Sequence, residues 1–192
     1  LVRAGRNYTG SSDAAASPIS YFTVASAALN RLIQVRDVSE EDCWTPSLIQ
    51  EVLELLRLAG SIALEYPIAE RVAEARTREK DGELCVRSGV IRRRTRIVSS
   101  SVTGAALTGA IDQCADGADL QHEKIRELRR LEAALADFTI ARYTEGGDVS
   151  TEQLNDCVNE GIDVLRTLRF RAFPPVREAI RVIDAVRALR RE

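Results

Sequence analysis

The stretch from Leu120 to Tyr143, LQHEKIRELRRLEAALADFTIARY, decides the fold that this sequence predicts. Its apolar residues return every three or four positions, so they lie on one face of an α-helix. Charged residues cover the opposite face, and an apolar seam of this kind is buried against other helices. The stretch therefore predicts a long amphipathic helix in a helical bundle. The apolar stripe consists of Leu120, Ile125, Leu128, Leu131, Leu135 and Phe138.

The segment that begins at Thr45-Pro46 predicts a second, more central helix. Threonine is a good N-cap and proline suits the first helical position, so the pair marks a helix start. Apolar residues then cover more than half of the circumference, which is typical of a helix buried on most sides. Tyr66-Pro67 is expected to end or kink this helix. A further helical piece is predicted from Pro67 to Arg78, with Ile68 and Val72 facing inward.

The rest of the chain extends this helical interpretation in both directions. Capping residues, prolines and a three-to-four-residue apolar spacing recur on each side of the two central stretches. An acidic connector is expected from Asp37 to Asp42. The additional predicted helices run from Pro18 to about Val35 with Ser17 as the cap, from Ser150 or Thr151 to the break at Phe173-Pro174-Pro175, and from Val176 onward.

The segment from Leu84 to Cys114 is the least regular part of the sequence. Its β-branched residues suggest strands. The absence of alternation and of a hairpin turn favours a helix instead. The second half, from Ser99 to Ala110, consists almost entirely of small residues, which predicts a buried and tightly packed helix.

Taken together, these patterns predict an all-α fold, a compact bundle of six or seven helices without a strand. A chain of 192 residues is of a size that one domain can accommodate. Residues 1–17, rich in glycine, serine and alanine, are predicted to be a flexible N-terminal arm, and residues 18–192 a single helical-bundle domain. The predicted core includes Leu53, Leu56, Ile62, Leu128, Leu131, Leu135 and Phe138.

Composition narrows the classes of function and location. Basic residues number 27 and acidic residues 29, for a net charge of −2, and only Lys80 and Lys124 are lysines. No apolar run reaches the roughly 18 residues of a membrane-spanning helix. Residue 1 is leucine and methionine is absent, so we expect a processed or incomplete N-terminus. The four cysteines form no C-x-x-C pair, which favours free thiols, a reducing compartment such as the cytoplasm, and no zinc site.

Candidate catalytic residues are few. His122 is the only histidine, and nucleotide-binding and zinc-protease motifs are absent. Two sets of acids share a helix face and could hold Mg²⁺, although such pairs are usually solvated. We therefore assign no catalytic, cofactor-binding or metal-binding residue and lean against an enzyme, with an all-α enzyme that uses a carboxylate pair as an alternative. The acidic sets are Glu51 with Glu54, and Asp156 with Glu160 and Asp163.

The densest charge lies between Arg87 and Val98, which holds five arginines and no acid. Arginine is suited to carboxylates and phosphates. One hypothesis is an ion-pair cluster, within the chain or between subunits, with the acids found between Asp37 and Glu70. The others are phosphate contacts to nucleic acid, which the isoelectric point of about 5.7 disfavours, and contacts to a partner's acidic surface. The candidate interaction residues are Arg87, Arg92, Arg93, Arg94 and Arg96.

One local resemblance points to a protein–protein interaction. Leu56-Arg57-Leu58-Ala59-Gly60 resembles the start of the third homology segment of the Bcl-2 family. Gly89 to Val98 and Glu145 to Asp148 fall roughly where the family's first and second homology motifs stand. Ser61 replaces the family's acidic residue, and Trp44 is the only tryptophan, so the family's tryptophan-containing motifs are missing.

The sequence as a whole favours a non-catalytic helical subunit that works through protein–protein contacts in a larger complex, as a homo- or hetero-oligomer. Three alternatives stay open beside it. The first is an arginine-mediated nucleic-acid-binding protein of the nucleoprotein or coat type. The second is the all-α enzyme with a carboxylate pair, and the third is a Bcl-2-like helical interaction protein.

Overall fold

The computed structural model describes residues 18–73, 83–88, 94–114, 120–144 and 149–180, and these are mostly helical. The predicted helical bundle is confirmed, and a small sheet accompanies it. The helices are α1 (Tyr21–Asp42), α2 (Pro46–Leu64), α3 (Gly104–Cys114), α4 (Leu120–Tyr143) and α5 (Thr151–Ala172), and the strands are β1 (Ala69–Val72), β2 (Leu84–Ser88) and β3 (Arg94–Ser99). Residues 174–180 are also helical. The predicted arm, residues 1–17, and the end of the last predicted helix, residues 181–192, lie outside the described residues.

Helices α1, α2, α4 and α5 pack as an up-down-up-down bundle. The hydroxyl of Tyr21 donates to the carbonyl of Tyr66 at 3.1 Å, so the start of α1 lies beside the end of α2. At the opposite end, Trp44 Nε1 donates to Asn155 Oδ1 at 3.0 Å, which joins the end of α1 to the start of α5. We call the end of the bundle at which α1 begins and α5 finishes the lower end.

Capping side chains mark the starts of α1, α2 and α5, and two of these three starts agree with the prediction. The Thr45 and Ser150 hydroxyls accept backbone N–H groups at the starts of α2 and α5, as predicted. The start of α1 was predicted wrongly, since Ser20 is its cap and Tyr21 its first residue. The acidic connector was also wrong. Because no glycine or proline interrupts it, α1 continues to Asp42 and ends where Cys43 takes a φ of 66°.

The core lies between these four helices and contains the seven predicted residues. All seven are buried, and Leu53, Leu56, Leu128, Leu131 and Phe138 have no exposed surface. The Phe138 ring meets Trp44 edge-on, with ring centroids 5.3 Å apart. A Cβ on Gly161 of α5 would lie 2.9 Å from Leu56 Cδ2, so this glycine allows α5 to approach α2 closely.

The region between α2 and α3 forms a three-stranded antiparallel sheet, so the helices predicted there were wrong. Strand β3 lies in the middle, with the order β1-β3-β2. Its residues Arg96, Ile97 and Val98 are all buried. A strand that is buried on both faces does not alternate apolar and polar residues, so the sequence pattern did not indicate a strand here. Strand β1 is exposed along its length, and Val72, predicted to face inward, is 55% exposed.

Helix α3 occupies only part of the small-residue segment. It begins at Gly104, and within it only Leu107 and Ile111 are buried, so the prediction of a buried and tightly packed helix was wrong. The close approach lies instead at Gly60 of α2, where a Cβ would stand 3.0 Å from Val102 Cγ1. The small residue at this contact therefore belongs to α2. Helix α3 itself packs mainly against α4, at the side of the bundle.

Candidate functional site

The predicted interaction arginines belong to the β2–β3 region, and the structure describes the side chains of two of them, Arg87 and Arg96. Arg92 and Arg93 lie outside the described residues, and Arg94 is the first residue of β3. Arg87 is exposed on β2 and is paired with Thr95, whereas Arg96 is buried on β3 and is paired with Val86. Because neighbouring positions along a strand point to opposite faces, Arg87 and Arg96 face opposite sides of the sheet.

Arg96 takes part in a partly buried ion pair. Its Nη1 donates to Glu70 Oε2 at 2.7 Å, and its side chain is only 10% exposed, compared with 29% for Glu70. A second pair joins Arg71 and Glu83 at 2.6 Å in a more exposed position. Burial of a charge requires such a partner, so Arg96 is occupied within its own sheet.

Three of the five carboxylates that the sequence offered for metal binding contact arginines. Glu51 pairs with Arg31, and Glu54 accepts a hydrogen bond from Arg57 at 2.7 Å. Asp163 of α5 accepts one from Arg166 at 2.9 Å. Among the described residues, no three metal-ligating side chains come together. His122 is exposed near the start of α4.

None of the four cysteines forms a disulfide, and the surroundings of Cys157 disfavour its thiolate form. Cys43 is exposed, whereas Cys85, Cys114 and Cys157 are half-buried. The Cys157 thiol donates to Asp137 Oδ2 at 3.2 Å. Burial, followed by the hydrogen bond to Asp137, raises the pKa of Cys157 to about 12. A nucleophilic cysteine needs a lowered pKa, so Cys157 is suited to packing rather than catalysis.

A charged cavity of about 380 Å³ lies at the lower end, among residues that the sequence did not single out. It is bounded by the end of α2, the start of α4, the end of α5 and residues 174–180. Apolar side chains from α2 and α5 line part of it, and five charged side chains line the rest. The apolar set includes Ile62, Ala63, Leu168 and Ala172, and the charged set is Glu65, Lys124, Glu127, Arg171 and Arg177.

Glu127 is the most deeply placed carboxylate of this cavity, with 7% exposure. It accepts a hydrogen bond from Arg171 Nη1 at 2.7 Å, and Arg171 Nη2 lies 3.3 Å from Glu123. Burial raises the pKa of Glu127, while the neighbouring Arg171 opposes that rise. The three side chains join α4 to α5, and two of them, Glu127 and Arg171, form a charged wall of the cavity. No periodicity could have indicated this pairing, because the partners lie on different helices.

Several large apolar side chains are exposed at the same end. Tyr66 follows α2, Phe170 and Phe173 close α5, and Ile180 lies in the helical residues 174–180. We call these four residues the apolar end surface. Phe170 is 65% exposed, and the Phe173 ring packs against Phe22 with centroids 5.4 Å apart. Tyr66 and Phe173 each stand directly before a proline, and proline ends or kinks a helix. This pattern is the sequence signal that could have indicated exposed aromatic residues at the helix ends.

Comparison of the chain with family models, with characterised proteins and with solved structures finds no match. Within the described ranges, no helix has both the length and the apolar character needed to cross a bilayer.

Proposed function

We propose that this protein is a non-catalytic subunit of a protein assembly and that copies of it associate through the apolar end surface. The observation that carries the proposal is the placement of Tyr66, Phe170, Phe173 and Ile180 at one end of the bundle. Single exposed apolar residues are ordinary, but several at one place are typical of interaction sites. Aromatic side chains are also enriched in interfaces and supply much of their binding energy.

The disposition of the charged groups supports the same proposal. Arg96 and Arg71 of the sheet contact acids of the same chain, which reduces their capacity for phosphate. Glu51 and Glu54 of α2 and Asp163 of α5 likewise contact arginines, which argues against a carboxylate-based active site. A reducing compartment such as the cytoplasm belongs to the proposal, because the four cysteines are free.

Phe170→Ser tests the association directly. Because Phe170 is 65% exposed, its replacement should leave the fold intact while removing the most exposed aromatic ring of the surface. We expect the parent to have an oligomeric mass in sedimentation equilibrium and the variant to shift toward monomer. Tyr143→Ser is the matched control, since Tyr143 is 71% exposed at the opposite end of the bundle. A monomeric parent, or an equal shift in both variants, would overturn the proposal.

The nucleic-acid alternative has a separate test. Replacement of Arg92, Arg93 and Arg94 by glutamine removes charge and keeps side-chain length. If these residues bind phosphate, the affinity for nucleic acid should be tight at about 150 mM salt, should fall steeply as salt rises, and should be lost in the triple variant. We expect weak parental binding, measured by fluorescence anisotropy, that barely changes. Tight binding that the triple variant abolishes, with fold and mass intact, would favour the nucleic-acid function.

A further inference from the structure

We propose that the lower-end cavity binds a small monocarboxylate that has an apolar body. The cavity, of about 380 Å³, falls within the range of roughly 300–1,000 Å³ that is usual for small-molecule sites. Such sites combine a mostly apolar lining with a few placed polar groups. Ile62, Ala63 and Leu168 provide the apolar part here.

Three cations line this cavity, and they differ in whether an acid of the described part of the chain contacts them. Arg171 contacts Glu127 and Glu123. Lys124 and Arg177 also line the cavity, and neither makes an ion pair or a side-chain hydrogen bond with any residue in the described part of the chain. Two cationic groups beside an apolar lining therefore lack an anion, which a ligand would supply.

Burial makes Lys124 the more important of the two. Lys124 is half-buried as a residue and lines the cavity without an ion pair to any described residue, and partial burial of an unpaired charge has a cost in free energy. A carboxylate placed beside it would offset that cost through a charge-assisted hydrogen bond. The raised pKa of Glu127, caused by burial, indicates that this wall is shielded from water, where charge interactions are stronger.

The acids of the cavity restrict the ligand to a single negative charge. Glu127 is satisfied by Arg171, but Glu65 also lines the cavity and has no ion pair with any described residue. A second anionic group on the ligand would meet repulsion from Glu65. An amine in place of the carboxylate would meet Lys124 and Arg177 instead. The lining therefore favours one carboxylate and an uncharged apolar remainder.

Isothermal titration with octanoate and octylamine tests this proposal, because the two probes share a tail and differ in charge. We expect octanoate to bind and octylamine not to bind. Lys124→Met removes the ammonium but keeps an unbranched apolar side chain, and it should weaken octanoate binding about tenfold or more. The matched control is Arg129→Met, which removes an exposed cation of the same helix that does not line the cavity.

Three results would overturn the site. These are the absence of octanoate binding to the parent, equal binding of both probes, and unchanged binding in Lys124→Met with helical content and unfolding midpoint intact. If Lys124→Met fails to fold, Arg177→Met provides the same test from the second cation, with the same expected loss. The measurement reports ligand binding and not mass, so its failure is distinct from a failure of the proposed association.

Discussion

The four-helix bundle and the three-stranded sheet of this protein are held together in different ways. The bundle rests on side chains with no exposed surface, contributed by every one of its helices. The sheet buries fewer side chains, strand β1 is exposed throughout, and an ion pair between Glu70 and Arg96 joins β1 to β3. Its buried residues are Leu84, Val86, Arg96, Ile97 and Val98. Most of the apolar burial therefore lies in the bundle, whereas the sheet combines a smaller apolar contribution with a partly buried ion pair.

The largest expected effect lies in the bundle, at Phe138. This ring is fully buried against Trp44, and Phe138→Ala should lower the free energy of unfolding by about 3–5 kcal/mol. Ile140→Ala on the same helix serves as control, since Ile140 is 45% exposed and its loss should change stability by about 0.5 kcal/mol or less. Urea denaturation of both variants gives the values. Equal effects would show that the inner face of α4 is wrongly assigned.

The two ion pairs of the sheet region should differ in how much they contribute to the free energy of unfolding. Glu70→Gln removes the carboxylate charge that the buried Arg96 guanidinium contacts at 2.7 Å and should cost about 1–3 kcal/mol. Glu83→Gln breaks the more exposed pair with Arg71 and should cost less than about 1 kcal/mol. The difference between the two unfolding free energies is the measured quantity. A larger loss in Glu83→Gln would mean that burial does not decide the strength of these pairs.

The close approach of α5 to its neighbouring helices at Gly161 gives a further test of the packing of the bundle. A Cβ at Gly161 would stand 2.9 Å from Leu56 Cδ2 and 3.2 Å from Leu32 Cδ2, whereas a Cβ at Gly109 meets nothing within 4 Å. Gly109→Ala should stabilise α3 by up to about 1 kcal/mol through helix propensity. Gly161→Ala forces its neighbours to move and should be less stable than Gly109→Ala by about 1–3 kcal/mol. Thermal unfolding monitored by circular dichroism compares the two, and equal melting points would contradict the close approach.

The smallest expected effect concerns the reactivity of the Cys157 thiol. Burial and Asp137 raise the pKa of Cys157 to about 12, so its thiol stays protonated at neutral and mildly basic pH. Iodoacetamide at pH 8 should therefore label the exposed Cys43 well before Cys157 in mass-spectrometric peptide analysis. The labelling of Cys157 should speed up as the pH approaches its raised pKa, because the thiolate is the reactive form. Labelling of Cys157 as fast as that of Cys43 at pH 8 would contradict the packing between α4 and α5.

Much of the bundle could be predicted because its signals are local and repeated. Leu128, Leu131, Leu135 and Phe138 lie on one helix and share one face, so their spacing alone identifies them as core. The sheet lacked such a signal. Its strands have only four, five and six residues, and the middle strand is buried on both faces where Arg96 and Ile97 lie side by side. Short strands without alternation cannot be separated from a helix by period alone.

The sequence by itself determined the long helices of this protein, several of their caps and the faces they bury, because each of these depends on residues a few positions apart. Only the tertiary structure decided which acid meets Arg96, which arginine meets Glu127, and that apolar and charged side chains converge at the lower end. Glu70 is 26 positions from Arg96, and Glu127 is 44 positions from Arg171. Periodicity carries no information over such distances, since these contacts exist only after the helices and strands have packed together.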